Sequence, residues 1–175
     1  MKPIHGTVFL LFFISVAVAQ ESTHERCTDK PVYDLLDFWI GEWVVYINDE
    51  KVGDNKIEKI LSGCAVMEHW TGAGGNKGNS LFFVDPNGAW KQIWVTEWAA
   101  NPGGVKEKMH VETLPNSGVR FQGQLEHPTI GSYLDRTTLT PLDNGKVSQR
   151  IEISTDDGET WKSSFDAIYV PIDGG

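Results

Sequence analysis

Basic side chains are scarce in this chain: 15 Lys and Arg stand against 24 Asp and Glu, for a formal net charge of −9. Binding a phosphate backbone or an anionic membrane surface needs clustered cations, so the balance argues against nucleic acid and against polybasic docking. Cysteine is scarcer still. Cys27 and Cys64 are the whole complement, spaced too widely for a C-x-x-C redox pair, and no Cys/His cluster offers a zinc site. No H-x-H or H-E-x-x-H points to a metal. No G-x-S-x-G frames Ser62, Ser80 or Ser154 as a nucleophile, and no cofactor motif is present. Helical periodicity is missing too, apart from one short turn over 33–38 with Pro31 near its start. No Pro/Ser linker divides the chain and no unit is duplicated.

What is present is apolar residues at 40%, 18 glycines and seven tryptophans, a composition that suits a turn-rich, aromatic-rich β-protein with one core. Residues 1–19 have the anatomy of a secretory signal: Lys2, an apolar run over 8–18, then the small-x-small site Ala17-Val18-Ala19 before Gln20. The run falls short of the ~20 apolar residues of a spanning helix. Charged His24-Glu25-Arg26 before Cys27 excludes a lipobox. The expected product is a secreted or periplasmic protein with no membrane attachment after cleavage. In an oxidising compartment Cys27 and Cys64 are expected to pair, tying a polar segment over 20–30 onto a barrel domain over 31–175.

From residue 42 onward, period-two segments recur between turn signals. Strands are expected over 42–47, 55–61, 64–71, 80–84, 90–98, 105–113, 119–125, 133–140, 147–154 and 161–170. The breaks include Asn87-Gly88, Asn144-Gly145 and Asp157-Gly158, pairs that supply the positive φ of tight hairpins. About ten sequential strands with short links form a meander, and closing a meander removes its exposed edges. The expected fold is all-β: a single up-and-down antiparallel barrel.

Phe38-Trp39-Ile40-Gly41-Glu42-Trp43 places a G-x-W at the head of the first strand. With Ile57 to Cys64, Ser80 to Trp94 and Ser154 to Trp161, it resembles an uncharacterised family of secreted bacterial lipocalin-like (calycin-type) proteins. That resemblance implies a barrel whose floor is packed by Trp43, and export, but no particular reaction. A more distant resemblance to nitrobindin-like barrels implies haem on a C-terminal histidine; here no histidine follows His127. Ser154-Thr155-Asp156-Asp157-Gly158-Glu159-Thr160-Trp161 also matches the Asp-box pattern S-x-D-x-G-x-T-W, which in a single copy marks a hairpin.

Candidate ligand contacts follow from alternation. Trp90, Gln92, Trp94, Thr96 and Trp98 share one strand face, which either lines a cavity or fills the barrel or a dimer seam. Gln149 shares its face with Val147, Ile151 and Ile153. Arg136 shares its face with Leu134, Thr138 and Thr140; inside, its guanidinium requires an acidic partner or ligand, and outside it would lie beside Asp135. Trp70, Gln92, Trp94, Arg136, Gln149 and Tyr169 form the expected ligand-binding set, with no catalytic residue assigned. His69, grouped with Ala65, Met67 and Thr71, is the histidine nearest a cavity, either as structure or as a base. His110 is expected in solvent with Lys106 and Lys108, and residues 72–78 form a rim loop. The expected function is a monomeric or homodimeric protein that holds a small, mainly apolar and acidic molecule. The alternatives are an isomerase or cyclase using His69 or Glu97 as base, and a packed barrel acting through its surface.

Overall fold

The computed structural model describes residues 26–172; the expected leader and the Gln20 start lie outside them. Ten strands follow three short 3₁₀ turns: β1 Gly41–Ile47, β2 Glu50–Ile60, β3 Ala65–Gly72, β4 Lys77–Val84, β5 Trp90–Thr96, β6 Val105–Thr113, β7 Val119–His127, β8 Gly131–Pro141, β9 Val147–Ser154 and β10 Lys162–Pro171. Each pairs antiparallel with its sequence neighbour, and β1 pairs with β10. The meander therefore closes into a barrel, as expected of a meander that would otherwise expose two edges.

Two boundaries depart from expectation by more than two residues. β2 starts five residues early because Asn48 and Asp49 both take positive φ (49° and 65°), the backbone of a two-residue hairpin turn. The rim loop is shorter than expected, because Gly72 belongs to β3 and Lys77 and Gly78 to β4.

One end of the barrel is plugged from the N-terminal side. Trp39, in the 3₁₀ turn Asp37–Trp39, is fully buried and meets Phe82 and Tyr169 edge-on at 5.7 and 6.0 Å. Trp43 donates its indole N–H to the Trp39 carbonyl at 3.0 Å and packs on Tyr169. Trp90 holds the preceding turn by donating to the Val32 carbonyl at 2.7 Å. Leu36, Val66, Val119, Phe121, Leu139 and Val147 complete this packed end.

The Cys27–Cys64 disulfide ties the plug to the turn between β2 and β3. Closing a loop of 37 residues is worth roughly 4 kcal/mol in the chain-entropy account. Lys59 adds ion pairs to Asp37 at 2.6 Å and to Asp34 at 3.5 Å. Among the described residues, no helix is long and apolar enough to cross a membrane.

Candidate functional site

Inward positions at the other half of the barrel are larger, more polar and incompletely packed. They enclose a cavity of about 370 Å³, lined by Glu68, Trp70, Gln92, Trp94, Lys106, Lys108, Thr137, Gln149, Ile151, Ser164, Phe165 and Tyr169. A volume above about 300 Å³ is the size of a small-ligand site. The interior is therefore not filled by side chains alone. Its aromatic wall is Trp70 against Phe165, edge-on at 6.1 Å, with Trp94 beside them.

Two glycines make that wall possible. A Cβ at Gly53 would stand 2.6 Å from the Trp70 ring, and one at Gly78 would stand 2.5 Å from the Trp94 ring. Each indole thus lies across bare backbone of the adjacent strand rather than projecting into the lumen.

The polar wall is a chain of hydrogen bonds. Gln92 Nε2 donates to Ser80 Oγ (3.1 Å), and Ser80 Oγ donates to Glu68 Oε2 (2.5 Å). Asn55 Nδ2 donates to Glu68 Oε1 (2.8 Å) and to the Tyr169 hydroxyl (3.2 Å), which in turn donates to Gln149 Oε1 (2.5 Å). Burial pushes the Glu68 carboxyl above its ordinary range, because desolvation outweighs the bonds from Ser80 and Asn55. The same burial drives the Tyr169 phenol well above its usual value. Gln92 Oε1 is buried without a partner.

Beside this chain stand two cations on one anion. Asp135, fully buried, pairs with Lys108 at 2.5 Å and Lys106 at 2.7 Å, and Lys108 also donates to Thr137 at 2.6 Å. Burial pulls the Lys108 ammonium below its usual value, against the attraction of Asp135. Lys106 and Lys108 face the cavity with a single carboxylate between them. With both lysines protonated, these three groups leave one positive charge in excess, before Glu68 is counted.

Of the expected ligand set, Trp70, Gln92, Trp94, Gln149 and Tyr169 line the cavity. Arg136 does not. Tyr133, Asp135, Thr137 and Leu139 are the buried face of β8, so Arg136 projects outward, paired with Glu152 at 2.8 Å and stacked 3.8 Å from the Trp161 ring centroid. His69 is also outside, between Glu58 at 3.0 Å and Asn79 at 2.9 Å. Glu97 is exposed and accepts the Lys77 backbone N–H. Neither potential base touches the cavity. Trp98 is exposed past the end of β5. His110 is half-buried against Phe121 rather than solvated, and its pKa is lowered by burial.

Glu68, Lys106, Lys108, Thr137 and Ser164 are cavity groups that alternation alone passed over. Glu68 carried a usable signal, since period two puts it on the face of Trp70. The Asp-box stands as a hairpin: Asp156 accepts from Ser154, from the Thr160 hydroxyl and from the Thr160 N–H, and Trp161 donates to the Gly158 carbonyl. No protein-family model matches the chain, and no protein of curated function matches it significantly.

Proposed function

We propose that this is a secreted lipocalin-like binding protein that holds a small, mainly apolar molecule bearing an acidic group. The carrying observation is the cavity itself, walled on one side by Trp70, Trp94 and Phe165 and on the other by Lys106 and Lys108 over a shared Asp135. Aromatic surface supports burial of an apolar body. Two lysines sharing one carboxylate leave a cation able to meet an anion where water screens it weakly. The anion contact falls to these lysines rather than to Arg136. The disulfide, with the signal-like residues 1–19, supports export.

A matched pair tests the reading: naphthalene-2-sulfonate and its neutral sulfonamide, titrated calorimetrically into the wild-type protein. The sulfonate is expected to bind at least tenfold more tightly, and Lys106→Met is expected to remove most of the difference. A protein that binds neither compound would overturn the proposal.

A further inference from the structure

The unpartnered Gln92 Oε1 sits at one end of a three-residue chain whose other end is Glu68. In the arrangement observed, Gln92 Nε2 is spent on Ser80, so the amide oxygen is left as a bare acceptor buried in the wall of the cavity. A bare acceptor repels an anion. The chain has a second arrangement in the same place. If Glu68 Oε2 carries a proton it can donate to Ser80 Oγ, and the hydroxyl then donates onward to the Gln92 amide oxygen. That turns the amide about, so that Nε2, a donor, takes the place of the unpartnered oxygen in the cavity wall.

We propose that the cavity takes up an anion together with a proton, the proton residing on Glu68 and its arrival converting Gln92 from acceptor to donor through Ser80. The inference rests on the anion-binding reading above. The surroundings of Glu68 fit it. Around Glu68 are Asn55 from β2, Ser80 from β4, Lys108 from β6 and Tyr169 from β10, with Gln92 from β5 joined to it through Ser80; His69, next to it on β3, acts through space from the outer face. Lys108 favours the carboxylate, whereas desolvation opposes it more strongly. Farther along the wall, Lys106 and Asp135 complete the charges. With Glu68 ionised, the two lysines and two carboxylates cancel; with Glu68 neutral, one positive charge is left for the ligand. Both Coulomb's law and the hydrogen-bond chain therefore couple the anion to the proton.

The balance is simple: one proton passes from solvent to the Glu68 carboxylate per anion bound, and no bond breaks within the ligand. A permanently ionised probe isolates this, because naphthalene-2-sulfonate takes no proton itself. Calorimetry in two buffers of different ionisation enthalpy counts the protons between about pH 5 and about pH 9. Uptake approaching one proton is expected in part of that range, with affinity falling by up to tenfold per pH unit there. Glu68→Gln, which imitates the neutral acid, is expected to bind the sulfonate with no proton uptake and little dependence on pH. Binding with zero uptake throughout, or uptake that persists in Glu68→Gln, overturns this inference and leaves the binding reading standing. Absence of any binding overturns both.

Discussion

The Trp94 indole lies across Gly78 of the neighbouring strand, so closely that a Cβ at Gly78 would come within 2.5 Å of the ring. This contact decides whether the barrel is hollow. A side chain at position 78 must push the indole into the lumen, toward the space that Trp70 and Phe165 border. Gly78→Leu is therefore expected to lower affinity for naphthalene-2-sulfonate at least tenfold and to cost about 1–3 kcal/mol of stability through overpacking. Titration and urea denaturation check the two effects. Unchanged affinity would show that Trp94 does not border the ligand.

At the closed end the expectation is reversed. Trp43 is buried between the Trp39 carbonyl and the Tyr169 ring, with no place in the cavity wall. Trp43→Ala is expected to lose about 3–5 kcal/mol, typical of deleting a buried indole, and to lower the melting temperature accordingly. A variant that melts like the parent but loses the probe would place Trp43 in the site instead of the floor.

Arg136 and Lys108 separate outside from inside. Arg136→Leu removes the Glu152 ion pair and the contact with Trp161, at a cost of about 1 kcal/mol. Its affinity for the sulfonate is expected to stay within about twofold. A large loss in Arg136→Leu would mean that the barrel's outer face takes part in binding. Lys108→Met leaves Asp135 buried with one partner fewer, and breaking a buried pair typically costs about 3–5 kcal/mol. Lys106→Met is for that reason the cleaner probe of ligand charge.

The hairpin between β9 and β10 predicts an acid-limb effect. Asp156 is held down to about 2 by hydrogen bonds from the Thr160 hydroxyl and backbone N–H and from Ser154, against an ordinary value of 3.8. A depressed carboxyl contributes stability that is complete above its unfolded value and fades as pH falls through the folded one. The contribution should thus be full above about pH 4 and largely gone below about pH 2. Asp156→Asn is expected to flatten the stability profile across that interval, as measured by denaturant midpoints. Parallel profiles for variant and parent would show that these bonds add nothing.

The barrel was legible in the sequence because alternation, turn pairs and the G-x-W all point the same way. Asn48-Asp49 escaped notice because two non-glycine residues supply the positive φ there. The site was legible where alternation is strong, at Trp94, Gln92 and Gln149. It failed on β6, where alternation inverts: Lys106 and Lys108 turn inward while Val105, Met109 and Val111 are exposed. Hydrophobic phasing assigns such lysines to solvent. What overrides it is Asp135, a carboxylate from β8 that only the closed barrel brings to β6. Arg136 was misplaced because β8 is ambiguous: its buried face mixes Tyr133 and Leu139 with Asp135, whose partners lie on β6.

Whether the cavity holds a molecule is the claim on which the rest depends. Native mass spectrometry of the protein, purified without refolding, addresses it directly, before and after addition of naphthalene-2-sulfonate. The account predicts one small-molecule adduct per wild-type chain, either carried through purification or formed with the added sulfonate, and little or none in Gly78→Leu. A wild-type protein that carries nothing and takes up none of the added sulfonate would contradict it.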